Sequence, residues 1–275
     1  MDELYVLARR VLLDALVALG THREACVLVG AQAVYLRVGE ADLAVAAFTT
    51  DGDLVVDPRR LATAPPLEQA LRAAGFVPRA GDAVGAWTTR RNTAGEVVAD
   101  VSIDLMVPEA HKLGPGRRSV RLPGHDPRVA RQVRGLEGAL VDADVLHLAA
   151  LEPSDARGFD LRIAGPAALL VAKLHKVQER RSSPRLNDKD ALDVLRLLRG
   201  TATDDLTARL RLLLADPHAR NATRPALPWL RELFGERRGA GIAMAQRATG
   251  GLVDEAEIEA SCLALAGDLL RAMGC

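Results

Sequence analysis

The sequence changes character at Gly165-Pro166, and this change limits the possible folds more than any other feature does. Before it, short β-branched runs alternate with helical patterns, and turn residues separate them. After it, apolar residues recur at helical spacing throughout. We therefore predict an α/β (α+β) core with a mixed sheet over residues 1–164, followed by an all-helical C-terminal domain over residues 165–275.

The same patterns predict the individual elements. Helices are expected over residues 3–19, 31–38, 67–74, 166–181, 188–199, 204–215, 225–235 and 254–272. Strands are expected over residues 25–29, 52–56, 84–90 and 96–107, with two or three more within 136–163. Thr203 and Asp254 are expected to cap two of the helices. Residues 111–134 are irregular and basic in character.

The composition argues against several classes of protein. The chain has 36 acidic and 36 basic residues, so affinity for nucleic acid would have to come from local patches. The three cysteines are too far apart to indicate a disulfide framework or a zinc site. The first predicted helix carries Arg9, Arg10 and Asp14, which argues against a signal peptide and a membrane span. We therefore expect a cytoplasmic protein that does not bind membranes.

Two carboxylates stand close together in the segment Thr50-Asp51-Gly52-Asp53. On a strand, residues i and i+2 project from one face about 6.5–7 Å apart, so Asp51 and Asp53 would repel each other without a cation. Mg²⁺ (or Mn²⁺) would remove that repulsion, and Mg²⁺ favours one or two carboxylates together with phosphate oxygens. Upstream, Gly30 separates a predicted strand from a helix start, where exposed N–H groups can receive a phosphate. Alone, the Asp-x-Asp pair could be an ordinary surface turn, and the upstream glycine strengthens the interpretation as a metal–phosphate site.

A third carboxylate, Asp104, stands within the apolar run Ile103-Asp104-Leu105-Met106-Val107. Three interpretations are open. Asp104 could be a metal ligand beside the first two aspartates, it could pair with an arginine, or it could share a solvated strand face with Asp100 and Ser102. As ligands, three carboxylates could hold two ions about 3.5–4 Å apart, one at the attacking oxygen and one at the triphosphate.

Together these features resemble the polymerase-β-like nucleotidyltransferase superfamily, whose signature is a strand–glycine–helix unit, an Asp-x-Asp strand and a later strand aspartate. The segments Ala172-Lys173-Leu174-His175-Lys176 and Asp188-Lys189-Asp190-Ala191-Leu192-Asp193 are similar to the AbiEii/MenA-type toxin branch, and the resemblance spans residues 25–199. It implies a nucleotidyltransferase catalytic domain over residues 1–164 that moves a nucleoside monophosphate (NMP) from an NTP.

The resemblance also implies roles for single residues. Catalytic and metal-binding roles fall to Asp51, Asp53 and Asp104, and nucleotide-binding roles fall to Gly30, Ala31, Thr50 and Lys173, the last at the triphosphate. Lys189 and Asp190 would complete the wall of the active site. Alternatively, the helix charges Lys173, Lys189, Asp190 and Asp193 are ordinary solvated surface groups. The chain departs from the family at Ala31, where Ser or Gly is usual, and in a longer gap between Gly30 and Asp51.

The acceptor is open to several interpretations. The resemblance favours the 3′ end of tRNA, and a toxin that a cognate antitoxin protein silences. Phosphate contacts could come from Lys112, Arg117, Arg118, Arg121, Arg128, Arg131, Arg134, Arg180, Arg181 and Arg185. The alternatives are a small molecule such as an antibiotic, a protein acceptor, or a degenerate module that binds nucleotide without catalysis. Retention of all three aspartates argues against the last.

Overall fold

The computed structural model describes residues 2–39, 43, 45, 48–81, 83–93, 95, 98–111, 119–181 and 188–275. The chain divides into two compact units. The first comprises Met1–Ala33, Ala47–Val133 and Ala143–Ala164, and the second comprises Val34–Ala46, Arg134–Asp142 and Gly165–Cys275. Because the units are interleaved along the chain, the division into separate domains at residue 164 stays a prediction.

The first unit contains a mixed β-sheet, which confirms the predicted fold class. Its strands are β1 (Cys26–Val29), β2 (Asp51–Val56), β3 (Val77–Pro78), β4 (Ala86–Asn92), β5 (Val98–Pro108), β6 (Arg131–Val133), β7 (Ala143–Ala149) and β8 (Gly158–Ala164). The order is β3-β4-β5-β2-β1-β8-β7, with β6 paired to β5 outside this path. Strand β1 is parallel to β8, and both β2 and β6 are parallel to β5, whereas the other pairs are antiparallel.

Helices α1 (Glu3–Leu19) and α3 (Leu67–Ala73) belong to the same unit. Helix α1 packs on β2 and β5. The contact is close at Gly52, because a Cβ atom there would lie 3.1 Å from Leu12 Cδ1 and 2.8 Å from Ile103 Cδ1. Since side chains alternate along a strand, the face of β2 opposite α1 carries Asp51 and Asp53.

Helices dominate the second unit, as the sequence predicted. The remaining helices of the chain are α2 (Gly30–Val38), α4 (Pro166–Arg180), α5 (Lys189–Gly200), α6 (Thr203–Ala215), α7 (Arg220–Phe234), α8 (Ala240–Ala248) and α9 (Glu255–Met273). Helix α2 follows β1 directly and spans both units. Asp254 caps α9 by accepting a hydrogen bond from the Ala256 N–H at 2.9 Å, which confirms one predicted cap.

Several elements differ from the prediction. Helix α7 begins five residues before the expected start, because Pro225 lies inside the helix and not in its first turn. Thr203 is the first residue of α6 and Ala202 occupies the N-cap position, so the predicted threonine cap is wrong. The sequence patterns missed α8, β3 and β6, which are short or depend on a neighbouring strand. Within the described part of the chain, no helix is long and apolar enough to span a membrane.

Candidate active site

The three predicted aspartates lie on one face of the sheet. In the parallel pair of β2 and β5, Asp53 is opposite Asp104 and Asp51 is opposite Ser102. Opposite residues of neighbouring strands project from the same face, and the strands lie about 4.8 Å apart. The fold therefore places Asp51, Asp53 and Asp104 together on the face that α1 leaves open.

Gly30 supplies the space that the Asp53 carboxylate occupies. Its φ is +71°, a conformation that favours glycine. A Cβ atom at Gly30 would lie only 2.0 Å from Asp53 Oδ2, so any side chain there would collide with the carboxylate. The antiparallel pairing of Val29 with Asp53 fixes this approach. Gly30 and Ala31 form the first turn of α2, where backbone N–H groups lack helical partners.

Asp51 is held through its side chain and its backbone. The Thr49 hydroxyl donates a hydrogen bond to Asp51 Oδ1. The Gln32 Nε2 donates to the Asp51 carbonyl oxygen at 2.9 Å, and Gln32 Oε1 accepts from Arg9 Nε at 2.8 Å. This chain of contacts links α1, α2 and the start of β2. Thr50, a predicted nucleotide contact, is half-buried beside Asp51.

Arg9 is a buried cation that the sequence analysis did not assign to the site. It donates to the Ala149 carbonyl oxygen at 2.8 Å and to the Tyr5 hydroxyl at 3.2 Å, in addition to Gln32. Burial lowers the pKa of Arg9 and raises that of Tyr5. A signal was present in the sequence, because Arg9 falls in the apolar stripe of α1 between Tyr5 and Leu12.

Asp104 pairs with Arg131, whose Nη2 donates to Asp104 Oδ2. This confirms the ion pair that the sequence left open for Asp104. Arg131 comes from β6, which lies parallel to β5 and was predicted as irregular. Among the described residues, no three His, Cys, Asp or Glu side chains form a group that could hold a metal ion. A metal-binding role for Asp104 therefore stays a prediction.

The remaining donor set fits a hard divalent cation. Asp51 and Asp53 offer two carboxylates on one face, and the Asp53 carboxylate lies directly against the backbone of Gly30. Mg²⁺ is commonly bound by one or two carboxylates, with water and phosphate oxygens completing the octahedron. Asp51 and Asp53 are thus the residues that could hold Mg²⁺ or Mn²⁺ here, and a metal ion at this site stays a prediction.

A polar groove of about 830 Å³ opens beside these carboxylates. Thr50, Asp51, Ser102 and Asp104 lie in its lining, together with Arg79, Arg90 and Arg91. Arg90 pairs with Asp100 at 3.1 Å, and Arg91 Nη1 donates to the Thr89 hydroxyl at 2.6 Å. The exposed Arg79 lies on the segment that follows β3. The groove thus combines hydroxyls with guanidinium groups next to the candidate metal ligands.

In the second unit, Lys173 and Asp190 belong to a buried ionic cluster. Lys173 Nζ lies 2.7 Å from Asp190 Oδ1 and 2.6 Å from Asp193 Oδ2, and its side chain is only 5% exposed. Arg196 contacts Asp193 at 3.1 Å, and Arg180 pairs with Asp190. The interpretation of Lys173, Asp190 and Asp193 as solvated surface charges is therefore wrong, because all three are buried. Lys189, at the start of α5, is exposed.

Parts of the predicted basic surface can be located. Lys112, Arg117, Arg118 and Arg185 lie outside the described residues. Arg121, Arg128 and Arg134 are exposed in the segment that leads to and follows β6. Arg180 and Arg181 each pair with an acidic side chain, Asp190 and Glu232 respectively.

Comparison with known proteins identifies the family of the chain. A family model described as "Nucleotidyltransferase" matches residues 9–211, most of the chain. The chain is also similar to an antigenic nucleotidyltransferase-like protein from Paracoccidioides brasiliensis, at 17% identity over 81% of this chain and 93% of that one, with a TM-score of 0.40. No curated protein matches the chain. The family match alone shows that the chain belongs to this nucleotidyltransferase family.

Proposed function

We propose that the chain is an enzyme that transfers an NMP from an NTP to an acceptor and releases pyrophosphate. The observation that carries the proposal is the shared face of Asp51 and Asp53, with the Asp53 carboxylate seated against Gly30. If Asp51-Gly52 were only a surface turn, residue 30 would not have to be a glycine. In the reaction, the acceptor oxygen forms a bond to the α-phosphorus, the bond to the bridging oxygen breaks, and the acceptor proton passes to solvent.

Each residue has a part in this proposal. Asp51 and Asp53 would hold Mg²⁺ or Mn²⁺, which when bound supplies positive charge at the phosphoryl group that is transferred. The N–H groups of Gly30 and Ala31 would bind phosphate oxygens, as helix N-termini do, and Thr50 would line the nucleotide site. By resemblance, Lys173 would contact the triphosphate, and Lys189 with Asp190 would complete the site. In this role, Lys173 would have to leave Asp190 or Asp193 and bind a phosphate oxygen instead.

We further propose an RNA acceptor, most specifically the 3′ end of tRNA, and a toxin role with a cognate antitoxin protein. The groove supports a phosphate-bearing acceptor, because Arg79, Arg90 and Arg91 lie in its lining beside Asp51. Guanidinium groups suit phosphates, whereas a cationic antibiotic in this groove would compete with Arg90 for Asp100 and with Arg131 for Asp104. The tRNA end and the toxin role rest on the resemblance of the Lys173 and Lys189–Asp193 segments to the AbiEii/MenA-type branch.

The test uses NTPs labelled at either the α- or the γ-phosphate, with Mg²⁺ and total RNA, total protein or an aminoglycoside as acceptor. We expect α-label, but no γ-label, to enter RNA of tRNA size, and Asp51→Asn to lower the rate by at least about 100-fold. Asp160→Asn is the matched control, since its side chain is 76% exposed on β8. Label in protein or aminoglycoside would refute the RNA acceptor, and equal labelling by Asp51→Asn would refute the active site.

A further inference from the structure

Arg131 makes an incomplete ion pair with Asp104. A guanidinium that binds a carboxylate with two nitrogens forms the stronger, bidentate arrangement. Among the described residues, Arg131 donates to Asp104 through Nη2 alone, and this nitrogen also lies 3.6 Å from Met106 Sδ. The Nε of Arg131 is buried and has no hydrogen-bond partner among the described residues. One strong donor of this side chain is therefore unused.

The position of Arg131 explains why a cation is needed there. Asp53 and Asp104 are opposite each other on neighbouring parallel strands, so two carboxylates face the same space. Carboxylates this close destabilise each other unless a cation is present. The Arg131 guanidinium supplies that positive charge at Asp104. Its side chain remains 37% exposed, so it can leave Asp104 without a rearrangement of the sheet.

We propose that Arg131 occupies the place of the divalent cation on Asp104 and moves to the triphosphate when the site is loaded. The inference rests on the proposed function. In the metal-free protein Arg131 neutralises Asp104, and in the loaded protein Asp104 is available to the cation while Arg131 binds phosphate oxygens, using the Nε that now lacks a partner. Metal and triphosphate binding are then coupled, because each favours the same released position of Arg131.

The first experiment measures Mg²⁺ binding without nucleotide, by calorimetry, in the wild type, Arg131→Met and Arg131→Lys. Removing the competing charge is expected to tighten Mg²⁺ binding about fivefold or more in Arg131→Met, the usual range of such couplings. Arg131→Lys keeps the charge and is expected to stay near the wild type. Mg²⁺ should also raise the thermal midpoint more in Arg131→Met than in the wild type. Equal Mg²⁺ affinity and equal midpoint shifts in all three proteins would overturn the inference.

A second variant keeps the test decisive should Arg131→Met fail to fold. Asp104→Asn removes the partner of Arg131, so the freed guanidinium should bind inorganic tripolyphosphate, without metal, more tightly than in the wild type. Unchanged tripolyphosphate affinity would overturn the inference. Neither measurement requires turnover. If the wild type transfers no NMP but the variants show these differences in binding, the proposed function is refuted and the inferred movement of Arg131 from Asp104 to the triphosphate is still supported.

Discussion

Because Gly30 has no side chain, the carboxylate of the candidate metal ligand Asp53 can lie against its backbone. We expect Gly30→Ala to lower the free energy of unfolding by about 2 kcal/mol or more, because a positive φ costs an L-residue about 1–2 kcal/mol and the new methyl would collide with Asp53. Gly81→Ala is the control, since Gly81 has φ +85° but a Cβ atom there would meet no described atom within 4 Å beyond its chain neighbours. Urea unfolding compares the two variants. Equal losses would mean that the contact with Asp53 contributes nothing.

The buried cation Lys173 permits a second prediction at the residue scale. Lys173→Met would leave Asp190 and Asp193 with only their arginine partners. Breaking a buried ion pair costs about 3–5 kcal/mol, and because those arginines remain we expect a loss near 3 kcal/mol in the free energy of unfolding. Lys176→Met, three residues further along α4, should cost less than about 1 kcal/mol. A Lys173→Met protein as stable as the wild type would show that the ion pairs of Lys173 with Asp190 and Asp193 do not stabilise the fold.

Among the elements, α1, α2 and β2 are tied together through Gln32. Gln32→Leu removes the acceptor of Arg9 and the donor to the Asp51 carbonyl oxygen, and we expect a loss of about 1–3 kcal/mol in stability. Gln32→Glu keeps an acceptor for Arg9 but cannot donate to Asp51. It should therefore retain more stability than Gln32→Leu and still transfer NMP more slowly than the wild type. If Gln32→Glu transfers NMP at the wild-type rate, the hydrogen bond from Gln32 to the Asp51 carbonyl oxygen does not position Asp51.

The packing of α4 against α7 gives the fold a dependence on pH. His175 contacts the Ala222 carbonyl oxygen at 2.8 Å, and its ring meets Trp229 edge-on at 4.9 Å. Burial lowers the pKa of His175, so the unfolded chain takes up a proton below pH about 6.5 that the folded chain does not. Stability is therefore expected to fall as the pH drops below 6.5.

Urea unfolding between pH 7.5 and 5 measures this slope. His175→Phe keeps an aromatic ring against Trp229 and removes the proton uptake. We expect the variant to lose less stability than the wild type over the same pH range. The same slope in both proteins would assign the pH dependence to other groups.

The elements that the sequence predicted are those specified by local pattern. Helix α1 and the β1–α2 unit carry complete apolar periodicities and a glycine at the turn, so their positions could be read directly. Strand β6 has three residues and exists because β5 offers an edge to pair with. Such a strand has no pattern of its own. That is why Arg131, its first residue, could be placed in a basic segment but not beside Asp104.

For the molecule as a whole, the sequence predicted the candidate metal ligands but not the residues that pair with the candidate site residues. Asp51 and Asp53 could be recognised because two carboxylates at strand spacing are costly without a cation. Lys173 was predicted either to contact the triphosphate or to be solvated, whereas its two buried partners follow from the packing of α4 on α5. The interleaving of the two units along the chain also follows from tertiary contacts and not from local pattern. These contacts assign Val34–Ala46 and Arg134–Asp142 to the helical unit.

The central claim is that Asp51 and Asp53 act as one unit in nucleotidyl transfer. The most direct measurement is the rate of pyrophosphate release from NTP, with Mg²⁺ and RNA, for Asp51→Asn, Asp53→Asn and the double variant, with Asp160→Asn as control. Residues that act as a unit have non-additive effects. We expect each single variant to lose at least about 100-fold and the double variant to lose little more, while Asp160→Asn keeps the wild-type rate. Near-wild-type release by either single variant, or losses that multiply in the double variant, would contradict the claim.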